Sequence, residues 1–89
     1  MDENEAAELR QAVLRAVEQQ ISDGEPPETA ETLDRLLGEG HPRHQAITMI
    51  GHVLAVEMFG IMKDEREFDR AGYTRALAQL PQLPGDSPI

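Results

Sequence analysis

Residues Arg43 to Lys63 read as one helix that is apolar around almost its whole circumference. On a helical wheel, with about 100° per residue, two apolar faces lie across from each other. The broad face contains Ile47, Ile50, Leu54, Met58, Ile61 and Met62, with Gly51 and Ala55 at its margin. The second face contains Met49, Val53, Val56 and Phe59, and the narrow polar stripe contains Gln45, Thr48, His52 and Lys63. Such a helix must be covered by other helices, by a second subunit, or by both.

The remaining sequence predicts an all-α protein. The chain has 89 residues and only three aromatic ones, so its core must be built from aliphatic side chains, a composition that favours helices. We expect one helical domain over residues 1–80 and an extended or disordered tail over residues 81–89. We predict a compact bundle of four helices around the central apolar third one, at residues 2–21, 27–37, 42–63 and 69–80.

Local signals mark where these helices begin and end. Asp2 followed by Glu5 resembles an N-terminal capping box. Gly38 is expected to be the C-terminal glycine of the second helix, and Pro42 to occupy the first turn of the third. The residues between them then form a tight helical hairpin.

The start of the fourth helix has the pattern of a hydrophobic staple. Asp69 is a candidate N-cap, Phe68 precedes it, and Tyr73 stands four residues into the helix. The staple predicts that the two rings pack together where the chain enters this helix.

The charge balance excludes several classes of partner. The chain has 8 basic and 17 acidic residues, a formal net charge of -9. The negative electrostatic field of such a chain repels phosphate groups, and no local basic patch is evident. We therefore expect neither nucleic-acid nor anionic-membrane binding. The absence of cysteine excludes disulfides, thiolate metal sites and cysteine nucleophiles.

The sequence also favours a cytoplasmic location. The first twenty residues are acidic and amphipathic, unlike a signal peptide. The apolar run from Ala46 to Met62 is about as long as the shortest membrane spans, but Thr48, His52 and Glu57 interrupt it. We therefore expect no membrane insertion.

Four residues could take part in a metal site, although we expect no metal and no cofactor. His41, His44, His52 and Glu57 combine imidazole and carboxylate ligands, which suit transition metals, and the last three are the candidates on the helix itself. His44 and His52 are eight residues apart, which is about 80° around the axis and roughly 12 Å along it, so one straight helix cannot bring both to a single ion. A third ligand at position 48, four residues from each of these histidines, would connect them along one side of the helix, but that residue is Thr48.

Glu57 is anomalous because it falls among apolar positions of the third helix. A carboxylate there would be partly desolvated and would need a partner or a proton. We expect either exposure at an edge of the bundle or a bond to one of four residues, namely Arg35, Arg43, Arg75 or Tyr73. A binding or catalytic role is the alternative.

No catalytic residues are expected, and the chain is predicted not to be an enzyme. Ser22 and Ser87 lack a glycine elbow, and no glycine-rich phosphate loop follows a strand. The segment Gly38-Glu39-Gly40 invites comparison with the helix-hairpin-helix turn of DNA-binding proteins. Its central acidic residue and its spacing argue against that function.

The second and fourth helices are short, so parts of the third helix could remain uncovered. We predict a protein-interaction module that forms a homodimer or binds a protein partner through Met49, Val53, Val56 and Phe59. Complete cover within a monomer is the competing interpretation. The alternative function is metal or small-ligand binding that uses His52 and Glu57.

Three stretches carry a resemblance to a known pattern: residues 38–47, residues 49–55, and Phe68-Asp69 with residues 73–81. They resemble a family of small uncharacterised bacterial proteins of unassigned function, and the resemblance covers roughly half of the chain. In that pattern a histidine often stands at Thr48 and an acidic residue at Val56. The resemblance implies a bacterial source and a helical domain, and it supplies no activity.

Overall fold

The computed structural model describes residues 2–84, and within that range the chain is all-helical. The helices are α1 (Glu3–Asp23), α2 (Pro27–Gly38), α3 (Arg43–Asp64) and α4 (Arg70–Gln79). They form a compact bundle, which confirms the predicted fold class. Each boundary lies within two residues of its predicted position.

The ends of α1 follow the sequence signals. The Asp2 side chain accepts a hydrogen bond of 2.8 Å from the backbone N–H of Glu5. At the other end Gly24 has φ of 66°, and its N–H reaches the carbonyl groups of Gln20 and Ile21. Glycine adopts this left-handed conformation without the penalty that a β-carbon brings, so it ends the helix cleanly.

The turn between α2 and α3 differs in detail from its prediction. Gly38 is the last helical residue, and Glu39 after it remains right-handed with φ of -82°. The positive φ, 98°, is at Gly40. The chain therefore reverses two residues later than expected, just before Pro42, which caps the N-terminus of α3.

The core lies around α3, which packs against α1, α2 and α4. Its members are mostly aliphatic and come from all four helices and the residue after α4. They are Val13, Val17, Leu33, Leu36, Ala46, Ile47, Ile50, Val53, Leu54, Tyr73, Leu77 and Leu80. Leu83, in the expected tail, also packs against this cluster, while residues 85–89 lie outside the described range.

The interpretation of α3 as a helix with two separate apolar faces is wrong. Val53, from the second face, is buried in the core, whereas Met58 and Met62, from the broad face, are exposed. Exposure follows one stripe that runs from Thr48 through His52 and Val56 to Phe59, and it widens near the C-terminus of the helix. With about 1.5 Å per residue, the 12 residues of α2 and the 10 of α4 are too short to cover the 22 of α3.

A buried polar cluster joins three helices. The hydroxyl groups of Thr29 in α2 and Tyr73 in α4 both donate to the side-chain oxygen of Gln20 in α1, at 2.8 and 3.0 Å. Thr29 and Tyr73 are almost completely buried. Because both hydroxyls have a partner, the cluster avoids the cost of unpaired polar groups in a core.

The two ends of α4 are held by different groups. At its start, the Asp69 side chain accepts a bond from Gly72 N–H, and the rings of Phe68 and Tyr73 lie 5.3 Å apart, which confirms the predicted staple. At its end, the Arg35 guanidinium donates to the carbonyl oxygens of Leu77 and Leu80, each at 3.0 Å. The Leu77 carbonyl also accepts the backbone N–H of Leu80, the cap residue, so Arg35 adds a second donor there and supplies one to the Leu80 carbonyl.

Within residues 2–84, α3 is the one helix whose length and composition would allow it to cross a membrane. The core helix of a globular protein meets the same criteria. In this bundle α3 packs against the three other helices and carries an ion pair at the buried Glu57.

Candidate interaction surface

Glu57 is buried, as its place on the wheel suggested, and all its polar contacts come from the connector after α3. Arg66 donates two hydrogen bonds to the carboxylate, of 2.8 and 3.0 Å. The backbone N–H of Asp69 donates a third, of 2.9 Å. The Glu57 side chain thereby holds both the connector and Asp69, the N-cap residue of α4.

Arg66 determines the ionisation of this buried carboxyl. Its hydrogen bonds lower the pKa of Glu57 below the ordinary glutamate value, and the Asp69 N–H acts in the same direction against the opposing effect of burial. The same pair raises the pKa of Arg66. Glu57 is therefore a charged structural anchor at neutral pH, and its oxygens are already occupied.

Gly60 makes room for this ion pair. It lies one helical turn beyond Glu57, and a β-carbon there would collide with the Arg66 guanidinium. The guanidinium can therefore lie directly against the α3 backbone. A glycine in a helix interior costs roughly 0.5–1 kcal/mol relative to alanine, and here it permits the contact.

The partners expected for Glu57 were wrong, although an ion pair was among the expected solutions. Arg35 instead binds the end of α4, and Arg43 pairs with Glu18 of α1 at 2.7 Å. Arg66 was missed because it belongs to a charged connector that reads as a solvated loop. The signal available in the sequence was its proximity, nine residues after Glu57.

The structure does not bring the candidate metal ligands together. His52 and Glu57 are five residues apart on one helix, about 140° around its axis. The Nε2 atom of His52 lies 3.3 Å from the carbonyl oxygen of Pro84, and His44 is exposed in the first turns of α3. The described residues contain no group of three histidine or carboxylate side chains placed to hold a metal ion.

A wide apolar groove runs between the N-terminal half of α1 and the outer side of α3. Its volume is about 370 Å³. Small side chains give it depth, and Gly51 brings α3 close to Leu14 and Val13. Its lining residues are Ala6, Leu9, Arg10, Val13, Leu14, Thr48, Gly51, His52, Ala55 and Phe59.

A smaller hollow continues from the groove toward the end of α3. Leu9, Val13, Ala55 and Phe59 line both depressions, and Met58 with Met62 completes the hollow. Phe59 is 56% exposed and Met62 is 72% exposed. We call the exposed residues Leu9, Met58, Phe59 and Met62, together with the groove they border, the α1/α3 patch.

The four predicted interface residues are distributed over the core and the surface. Val53 is only 2% exposed and belongs to the core, so it is not available to a partner, and Met49 packs partly against that core. Val56 and Phe59 are exposed on α3. The contribution of α1 to the α1/α3 patch was missed. The four-residue spacing of Leu9, Val13, Val17 and Ile21 predicts one stripe that points inward, yet Leu9 is exposed.

Comparison with models of known protein families, with curated proteins and with solved structures gave no match to this chain. The resemblance to small bacterial helical proteins therefore stays a prediction. The geometry of the α1/α3 patch is the basis for any functional assignment.

Proposed function

We propose that this protein is a small acidic protein-interaction module that self-associates through the exposed end of α3 and the adjoining side of α1. The observation that carries the proposal is the α1/α3 patch. Large apolar side chains that stand together at a surface, with a groove beside them, are typical of sites that another molecule covers.

The chemistry of the patch supports a protein partner. Methionine side chains at positions 58 and 62 adapt their shape to a partner, and Phe59 offers the aromatic surface that dominates many interfaces. The rest of the surface is strongly acidic, which favours solubility of the separate subunits. Interaction can thus be confined to one apolar area.

Other parts of the proposal follow from composition. We infer a cytoplasmic protein without enzymatic activity that binds neither nucleic acid nor membranes. One observation supports the absence of enzymatic activity, since the carboxylate of Glu57 is already bound by Arg66. Neither oxygen of that carboxylate is free to act on a substrate.

Sedimentation equilibrium at micromolar concentrations tests the proposal. We expect the wild type to self-associate and a double variant, Phe59→Glu with Met62→Glu, to be monomeric. Leu37→Glu is the control, since Leu37 is also an exposed apolar residue but lies near the end of α2, outside the patch. A wild type that stays monomeric throughout would contradict self-association.

The groove also favours a second candidate, the binding of a small apolar ligand. Its volume of about 370 Å³ falls within the range of small-molecule pockets, and its walls are mainly apolar with His52 and Thr48 at one side. Glu57, which the sequence linked to His52, would take no part. Native mass spectrometry of freshly purified protein tests for a bound molecule, and a clean apo mass would oppose this candidate.

A further inference from the structure

The α1/α3 groove has the dimensions of a receptor for an aromatic side chain. An engineered apolar cavity of about 150 Å³ is enough to bind benzene. The groove, at about 370 Å³, is larger, and its walls include the short side chains Ala6 and Ala55. It can therefore accept one phenyl ring with space for neighbouring side chains.

The same patch carries a side chain that fits this receptor. Phe59 stands at the border between the groove and the smaller hollow, and more than half of its surface is exposed. The other phenylalanine, Phe68, packs against Tyr73 at the start of α4. Phe68 is also partly exposed, at 42%, but it lines neither depression, so Phe59 is the aromatic side chain that the patch itself can offer to a partner.

The charges around the groove favour an acidic partner. Among residues 2–84, no acidic residue lines the groove or the hollow, although the chain as a whole is strongly acidic. The ionisable residues that line the groove are Arg10 and His52. The first turn of α1, one to two turns from Arg10, is acidic through Glu3 and Glu5. A second copy of the chain would bring the matching acidic charge to this rim.

From these observations the geometry points to a two-fold symmetric dimer in which Phe59 of each copy occupies the α1/α3 groove of the other. This inference rests on the proposed function and adds the identity of the partner and the mode of contact. Phe59 and the groove that receives it belong to the same patch, so when two copies meet, both are buried in the interface on each copy. The assembly therefore closes at two subunits and does not grow into a filament.

Substitutions that fill the groove provide the sharpest test. Ala55→Phe places a ring in the groove and leaves Phe59 intact, so it adds apolar surface while blocking insertion. We expect the dissociation constant of the dimer, measured by analytical ultracentrifugation, to rise at least about tenfold, as for loss of a central interface contact. Phe59→Ala should have a similar effect.

Two further variants complete the design. Leu37→Ala is the control, because Leu37 is exposed near the end of α2 and lines neither depression, so the dissociation constant of this variant should equal that of the wild type. Ala6→Phe fills the groove from α1 and replaces Ala55→Phe if circular dichroism shows that the latter does not fold. It should weaken the dimer to a similar extent.

The outcomes separate this inference from the proposed function. If the wild type dimerises and folded Ala55→Phe and Ala6→Phe variants dimerise equally well, the groove is not the receptor, while self-association stands. Association beyond a dimer would overturn the closed two-fold arrangement. A wild type that is monomeric at every concentration would refute both, and a small molecule or another protein would then be the occupant of the groove.

Discussion

The guanidinium group of Arg66 lies against the α3 backbone at Gly60, in the space that a β-carbon would take. This contact lets Arg66 reach Glu57 with two hydrogen bonds. In most helix interiors, replacing glycine with alanine stabilises the fold by about 0.5–1 kcal/mol. Here the new methyl group would displace the arginine from its partner.

We therefore expect Gly60→Ala to give no stabilisation in the wild type and the usual gain of about 0.5–1 kcal/mol in an Arg66→Ala background. Urea denaturation of the four proteins in this cycle measures the difference. An equal gain in both backgrounds would show that Arg66 does not occupy the space beside Gly60.

Glu57→Gln tests the role of the buried carboxylate. The variant keeps an acceptor for the Asp69 N–H but loses the charge that Arg66 binds, and we expect it to be about 1–3 kcal/mol less stable at neutral pH. The comparison is made by urea denaturation. Glu18→Gln, which breaks an exposed pair with Arg43, is the matched control and should cost less.

The pH dependence of the same variant gives an independent readout. The pKa of Glu57 in the folded protein lies below the reference value of 4.5. Between the lowered pKa and about 4.5, the unfolded chain binds more protons at this residue than the folded protein does. The contribution of Glu57 to the free energy of unfolding is therefore complete above about pH 4.5 and is lost as pH falls through the lowered pKa. Stability should fall less steeply with acid in Glu57→Gln than in the wild type. If the free energies of unfolding of the two proteins changed in parallel with pH, the lowered pKa of Glu57 would be contradicted.

Glu65 offers a way to stabilise the protein. It ends α3 with φ of 50°, a left-handed conformation that glycine adopts more easily than glutamate. We expect Glu65→Gly to raise the free energy of unfolding by up to about 1 kcal/mol, seen as a higher melting temperature. Lys63→Gly, two residues earlier in the helix, should lower it by a similar amount.

Tyr73→Phe removes one donor from the buried cluster with Gln20 and Thr29. We expect a loss of about 1 kcal/mol at neutral pH, measured by denaturation, because the Gln20 oxygen keeps only its bond from Thr29. The Thr29→Val variant removes the other donor to Gln20, and its loss of stability can be compared with that of Tyr73→Phe.

Burial raises the pKa of Tyr73 above its ordinary value of 10.0. The unfolded chain loses this proton first, so stability should decline as pH rises above about 10. Tyr73 is the only tyrosine, and phenolate absorbance therefore reports it alone. Titration at the unfolded value in the native protein would show that the ring is not buried.

The sequence was sufficient for the parts of the fold that depend on local chemistry. Asp2 caps α1, Asp69 caps α4, and the staple between Phe68 and Tyr73 forms as predicted. Each of these features joins residues within five positions, where spacing along the chain determines geometry. Helix number and position follow from the same local signals.

Features that depend on packing between helices could not be read in this way. A helical wheel of α3 shows the direction in which each side chain points, but not how far the neighbouring helices extend along it. The wheel therefore grouped the buried Val53 with the exposed Phe59. The ion pair of Glu57 depended on the path of a connector without periodicity. The groove required the relative placement of α1 and α3, which no spacing within either helix encodes.

Helix α4 is the shortest helix of the bundle, and its backbone contacts only α2 and α3. A hydrogen bond from Tyr73 to Gln20 links it to α1. Arg35 holds one end, while Glu57 holds the connector at the other. We expect α4 to form a separate cooperative unit, whose amide protons exchange with solvent through a partly opened state while those of α1 and α3 remain protected.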